Sequence, residues 1–499
     1  MFIDEHKGTV WAEVRQQDIR VFARWLTPSI FLMAAVRVGL KEYRCFKNPL
    51  CLFNLVWLGI TAALHTQLNF GQVLTRTLQL LEDHECFPRS QASKKSRKSA
   101  GGAKQRKKHD PRTDRDTVTE EAFCQARKQM PVDFWFALLS LLVEQFEAEH
   151  SDLMRVHGFR LLAMDGTRLD LFDSPKNRAH FGTARNGRGD HGPQARMTLL
   201  QFPLVRLPCR YELAPVSVGE VTMAGNLLDS ALRKEDLVLL DAGFWSYGLL
   251  WKIQQKQAYF AIRLKSGLNW QTVKQLDKQM QDTLMKWTPK DSRRKWRDLP
   301  RSIELRVIRY EVPGFRGTAI VTNVLDPQRL SRQDWVRLTT EADAKRRLLP
   351  GLYHRRLEIE TTYRELKVEQ GMEKLRSRTP ESVGFEVAGH MLLYLLVRWT
   401  IVEAAIKHSV DPLELSFLAA LNEIIGMQQA LLCAKPKWAE QVLLPRLLDR
   451  IAQHRVPPRP GRHYARKKKP RQQQSQKTTP DQKTPAPPST LEEKGKNEA

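Results

Sequence analysis

From about Asp18 to Glu85 the apolar residues recur at the three- and four-residue spacing of a helix, as in Val21, Trp25 and Leu26 and again in Phe70, Val73, Leu74, Leu78 and Leu81. Few turn residues interrupt this pattern, which predicts an all-helical N-terminal domain over residues 1–87. Within it the run Leu50–Leu64 is shorter than the ~20 residues that span a bilayer and contains Asn54, so it reads as a buried helix. Residues 88–116 are rich in Ser, Gly, Lys and Arg and have almost no apolar side chain to build a core, which predicts a flexible basic linker. Thr119-Glu120-Glu121 opens another helix, and DFWFALLSLLVEQFE after Pro131 a second. Beyond Gly158 the pattern changes to short apolar runs bounded by turn residues: FRLLAMDG, ARMTLLQFPLV, RYELAPVSV, then DLVLLDAGF after the helical NLLDSALRK, and AYFAIRLK. Three strands, a helix, a strand, a helix and a strand predict an α/β domain, whose first part with its leading helices covers 117–265.

Between 266 and 345 the strand-like SIELRVIRYEV and GTAIVTNVL, with several tryptophans among charged residues, predict a β-rich insertion within that domain. The domain resumes over 346–410 with a long helix from Leu352 to about Glu369, stopped at Gly371. Further helices follow Pro380, those of 411–456 forming a C-terminal group. The last segment, 457–499, is rich in Pro, Gln, Lys and Thr and reads as a disordered basic tail.

Composition adds a partner. The 499 residues are too many for one core, and 81 Lys and Arg against 55 Asp and Glu leave a formal +26, which favours a polyanion, nucleic acid first. The basic linker and the tail cluster ARKKKPR read either as solvated charge or as loose phosphate contacts. The opening MFIDEHKGTVWAEVRQQD is charged throughout and lacks the apolar stretch of a signal peptide, so the expected location is the cytoplasm, with no membrane partner. Six scattered cysteines form no zinc-spaced set, which leaves oxygen atoms as the expected metal ligands.

Three carboxylates carry the candidate chemistry. Asp165 ends the apolar run LLAMDGT and Asp241 ends LVLLDAGF, where an α/β sheet delivers side chains to its crevice. Each is followed closely by glycine, Gly166 and Gly243, which suggests a tight turn and room for a ligand. Read alone, each is an ordinary Asp-Gly turn. The helix LYHRRLEIETTYRELKVEQG places Tyr353, Arg356, Glu360 and Lys367 within a sector of roughly 60°, whereas Glu358, Glu365 and Glu369 lie off it. Two strand-end aspartates and Glu360 suit two Mg²⁺ or Mn²⁺ ions, the arrangement for phosphodiester chemistry, with Arg356 and Lys367 on phosphates and Tyr353 against the sugar-phosphate backbone.

The spacing Tyr353-x2-Arg356-x3-Glu360-x6-Lys367 resembles the Tyr-Arg-Glu-Lys signature of bacterial DDE transposases of the insertion-sequence-four family. The segments MDGT, NRAHFGTARNG, ARMTLLQ, LVLLDAGFWS and LRSRTPESV are similar to that family too, over roughly Arg112 to Arg398. The chain departs from it at Ala242, where many relatives carry a basic residue. The resemblance implies an RNase H-like core interrupted by the β-rich insertion, with Asp165, Asp241 and Glu360 as catalytic metal ligands. It also implies cut-and-paste transposition through DNA hairpins, and a synaptic homodimer on double-stranded DNA at terminal inverted repeats. Trp270, Trp287 and Trp296 are candidates to stack a flipped base, or else core residues of the insertion. His180, His354 and His390 are read as structural. Two other readings are a transposase-derived DNA-binding protein that no longer cleaves, and a metal nuclease without strand transfer.

Overall fold

Among the described residues ten strands lie in one sheet: β1 (Arg155–Val156), β2 (Phe159–Asp170), β3 (Gln194–Phe202), β4 (Leu207–Pro215), β5 (Asp236–Leu240), β6 (Tyr259–Arg263), β7 (Trp270–Gln275), β8 (Asp282–Trp287), β9 (Ile303–Tyr310) and β10 (Thr318–Thr322). They are seen in a computed structural model, which describes residues 20–41, 50–75, 119–183, 192–289, 299–311, 318–336 and 351–456. The basic linker, the C-terminal tail, Trp296 and the ARNG end of the NRAHFGTARNG segment lie outside the described residues. The chain divides into two units, 1–460 and 461–499, and all described residues belong to the first.

The strand order is β4-β3-β2-β5-β6-β10-β9-β8-β7, with β1 folded back on β2. β2, β3 and β4 form an antiparallel meander, and β5 and β6 run parallel to β2. The physical reason is legible in composition: Phe159–Met164 and Asp236–Leu240 are buried at every position, as expected of central strands covered on both faces. The insertion strands do not form a separate sheet. β10 pairs antiparallel with β6, and β9, β8 and β7 extend the same sheet outward. At the far edge β7 is exposed over most of its length and carries an irregularity between Thr272 and Lys274, features that blunt an open edge.

Helices α1 (Pro28–Arg37), α2 (Leu52–Leu64), α3 (Glu120–Gln129), α4 (Val132–His150), α5 (Pro175–Phe181), α6 (Glu220–Ala231), α7 (Tyr247–Gln255), α8 (Glu358–Arg364) and α9 (Pro380–Lys407) accompany the sheet, followed by α10 (Phe417–Cys433) and α11 (Leu444–Gln453). α9 has the length and apolarity of a membrane span, but protein encloses the whole apolar stretch. Its closest neighbour is α2. A Cβ added at Gly389 would meet the Gly59 carbonyl oxygen at 2.5 Å, so the two backbones cross with no space for a side chain.

The described N-terminal residues, 20–41 and 50–75, share packing with the rest of the chain: Trp25 stacks on Trp399 with ring centroids 4.4 Å apart, and α2 and α9 belong to one continuous apolar cluster. Arg376, in the LRSRTPESV segment, extends the tie by donating to the Ala62, His65 and Thr66 carbonyls at the C-terminal end of α2. Its own backbone N–H, with that of Ser377, donates to the buried Glu386 carboxylate. The NRAHF and LRSR segments also meet: Asn177 donates to the Phe172 and Ser377 carbonyls, and Ser174 to that of Arg378.

Candidate active site

Asp165 sits inside β2, not at its end. The parallel pairing with β5 covers only Arg160–Ala163, whereas β2 continues against β3 to Asp170, with Asp165 opposite Leu199. The carboxylate therefore stands just past the point where the parallel neighbour stops. Asp241 immediately follows β5 and leads a short 3₁₀ turn over Ala242–Phe244. The expected turn is found after Asp241, where Gly243 lies in the 3₁₀ turn, but not after Asp165, where β2 runs on through Gly166; neither glycine has a positive φ. Gly166 instead gives close passage to Glu220, because a Cβ there would meet the Glu220 side chain at 3.3 Å. Glu220, in the first turn of α6, is paired with Arg196 at 2.7 Å, and its own segment carried no signal for a place beside the site.

The third carboxylate arrives on a composite helix: a 3₁₀ stretch Leu352–Leu357, then α8, then a π turn Glu365–Glu369. Gly371 ends it with φ +78°, as its position predicts. Glu360 is 60 % exposed and faces Arg356 at 3.6 Å, the guanidinium itself being largely buried.

Two tyrosines fix this helix to the strands that carry the aspartates. The Tyr353 hydroxyl donates to the Leu240 carbonyl at 3.0 Å, one residue before Asp241. The Tyr363 hydroxyl donates to the carbonyl of Asp165 itself at 2.7 Å. Both are buried, and burial raises the pKa of each well above the usual phenol range, so they remain donors. Tyr353 thus holds a backbone rather than facing solvent. Tyr363 was not singled out by spacing, although it lies one helical turn from Glu360. Lys367 also reaches β2, donating to the Thr167 hydroxyl at 2.7 Å and the Arg168 carbonyl at 2.6 Å.

The three carboxylates act on one another. Burial raises the Asp165 pKa to about 6, the Gly166 N–H and Arg356 oppose that rise, and Asp241 and Glu360 add to it. Arg263, on the last residue of β6, lies 3.7 Å from Asp241. Among the described residues no three of His, Cys, Asp and Glu stand close enough to enclose one ion. The donor types suit a hard divalent cation: repulsion from Asp241 and Glu360 reaches half-buried Asp165, and Asp241 and Glu360 each face an arginine across an ion-pair distance.

Next to Asp241 an aromatic cluster joins the core strands to the insertion. Trp287 is buried, with ring centroids 5.1 Å from Trp245, 5.2 Å from Tyr247 and 6.0 Å from Trp270. Trp270 and Trp245 are its partly exposed members, and the Trp245 indole donates to the Arg263 carbonyl at 2.7 Å. Of the histidines, His390 is fully buried and its ring nitrogen meets Gln370 at 3.0 Å, His354 is partly buried edge-on to Tyr310, and His180 packs on Phe181.

Residues 157–396 match the family model described as the transposase DDE domain, a span that contains all three carboxylates. The chain is 26 % identical over 339 residues to transposase InsG for insertion sequence element IS4 of Escherichia coli strain K12, covering 64 % of this chain and 70 % of that one. A solved structure of the piggyBac transposase synaptic complex with hairpin DNA covers 88 % of this chain and 86 % of its own. Its TM-score is 0.37 at 9 % identity, a likeness from which nothing further is drawn.

Proposed function

The chain carries the DDE domain of transposases akin to those of insertion sequence four, and on that premise we propose that it moves an insertion sequence by cut-and-paste transposition. It would cut double-stranded DNA at terminal inverted repeats through hairpin ends and join them to target DNA, as a homodimer in the bacterial cytoplasm. The observation that supports this reading is that Asp165 and Asp241 stand just past the β2/β5 parallel pair and that the helix carrying Glu360 is hydrogen-bonded to both strands. The order β4-β3-β2-β5-β6, antiparallel and then parallel, supports an RNase H-like core extended by the insertion strands.

Asp165, Asp241 and Glu360 would hold two Mg²⁺ or Mn²⁺ ions, which supply activation of an attacking water or 3′-hydroxyl and neutralise the leaving oxygen of an in-line displacement. The chain's own contribution is position and charge. Tyr353 and Tyr363 hold the aspartate-bearing strands against the Glu360 helix. Arg356 and Arg263, now beside two carboxylates, present guanidinium groups to phosphate oxygens at the same place. Lys367 clamps β2 just beyond Asp165, with phosphate contact as its second role. Trp270 and Trp245 are the partly exposed faces on which an extruded base would stack, with Trp287 as their buried support.

The test is Mg²⁺-dependent cutting of a labelled DNA end by the purified chain, with Asp241→Asn and Glu360→Gln alongside. Each substitution is expected to lower the cutting rate by about 100-fold or more, as loss of a main source of charge stabilisation does, while DNA binding is kept. Cutting that survives both would remove these carboxylates from the chemistry. Recovery of joined target DNA, rather than cut ends alone, separates transposition from simple nuclease action.

A further inference from the structure

Two of the three glutamates near Glu360 that fall off its helix face are not idle surface charges. Glu358 and Glu365 lie roughly 140–160° around the helix from Glu360, on the side turned away from the aspartates. Both are held by one arginine. Arg206 stands in the turn between β3 and β4 with φ +52°, an uncommon backbone state for a residue with a side chain. Its Nε donates to Glu358 Oε2 at 2.8 Å and its Nη1 to Glu365 Oε1 at 3.1 Å, so one planar fork spans two successive turns of the helix.

From the other side, Glu365 Oε2 accepts the Tyr394 hydroxyl of α9 at 2.6 Å and pairs with Arg398, whose Nε also donates to that hydroxyl at 3.2 Å. Glu365 and Arg398 are buried, and the two arginines balance the two glutamates. Burying Glu365 and Arg398, and partly burying Arg206 and Glu358, carries a desolvation cost that apolar side chains would avoid, so stability alone does not explain the arrangement. An apolar contact would hold the helix with no preferred rotation, whereas these bonds are directional. The backbone changes pitch at the same point: the Gln370 N–H donates to the Glu365 carbonyl five residues back, closing a π turn.

We propose that Arg206, acting through Glu358 and Glu365 and backed by Arg398, is a positioning residue that sets the rotation of the helix about its axis and so aims Glu360 at Asp165 and Asp241. The proposal rests on the metal-holding role given to those three carboxylates above. Arg206 itself touches none of the reacting groups.

Mn²⁺ binding to the full chain, titrated by calorimetry without DNA, reads this role independently of catalysis. Arg206→Gln, and Glu358→Gln at the more exposed end of the same pair, are each expected to weaken Mn²⁺ binding by about tenfold, the lower range for loss of a group that orients a metal ligand. The double variant is expected to lose no more than Arg206→Gln alone, because that substitution already removes the contact to Glu358. Binding of a labelled DNA end without metal should stay within about twofold of the parent. A merely structural role would lower the melting temperature and leave the Mn²⁺ isotherm unchanged; that outcome in both variants overturns the proposal. Glu360→Gln serves as reference. If it abolishes Mn²⁺ binding and the Arg206 and Glu358 variants do not weaken it, the positioning role alone falls. If Glu360→Gln leaves Mn²⁺ binding intact, the metal-holding reading falls and takes the proposal with it.

Discussion

His390 lies in the middle of α9, fully buried, with the Gln370 side chain on its ring nitrogen and its carbonyl. Burial first and the nearby Arg376 second push its pKa down from 6.5 to about 3. The folded chain therefore keeps this ring neutral at pH values where an unfolded chain protonates it. The stabilising contribution is complete above about pH 6.5 and is lost as pH falls toward 3, at about 1.4 kcal/mol per pH unit for one proton. Urea unfolding at pH 7.5, 6 and 5 should show that decline, and His390→Gln should flatten it. An unchanged slope in the variant would mean that other groups carry it. The same scale shows how uneven legibility is among single residues. Glu360 stood out by its spacing from Tyr353, Arg356 and Lys367. Tyr363 did not, since a tyrosine that donates to a strand carbonyl has no sequence mark distinguishing it from one that fills a core.

At the scale of elements, the closest packing is the crossing of α2 and α9 at Gly59 and Gly389. Gly389→Ala would drive a methyl group into a backbone carbonyl at 2.5 Å, where no side chain is available to swing away. The expected loss is at the upper end of the roughly 1–3 kcal/mol of overpacked cores. Gly384 is the control in the same helix: the nearest atom to an added Cβ is Val132 Cγ2 at 3.9 Å, and Gly384→Ala should gain up to about 1 kcal/mol from helix propensity. Equal effects of the two substitutions in urea unfolding would contradict the close crossing. Apolar periodicity predicted both helices correctly in kind. It did not show that they touch, because a glycine in a helical pattern reads only as a weak helix former until its partner is known. The Glu360 helix teaches the reverse: its signature spacing assumes a uniform helix, but its pitch changes from 3₁₀ to α to π along its length.

For the whole molecule, the shared core of the N-terminal helices and α9 makes a definite demand. A chain begun at residue 119 loses Trp25 from Trp399, α2 from α9, and the carbonyls that receive Arg376. It is expected to lack a cooperative thermal transition and to bind a hydrophobic dye, since Phe385 and the Gly389 face of the helix would be exposed. A sharp melt from that shortened chain would restore the N-terminal segment as an independent domain. The insertion gives a parallel lesson. Two of its strands, SIELRVIRYEV and GTAIVTNVL, are strand-like in sequence while β7 and β8 are not, and the place of all four as a continuation of the central sheet depends on β10 pairing with the open edge of β6.

By itself the sequence determined what short-range chemistry can determine: the order of strands and helices, the basic balance, and the helix face that carries Glu360. Each depends on neighbours within a few turns of chain, where period and composition are sufficient. Tertiary structure alone decided that Asp165 lies inside β2 beyond the end of β5, that Tyr353, Tyr363 and Arg206 bond to the strands and glutamates around the Glu360 helix, and that N-terminal helices share the core. Those facts join residues from a few tens to nearly 400 positions apart, and a hydrogen bond or helix crossing over such distances leaves no periodic trace in the residues that make it.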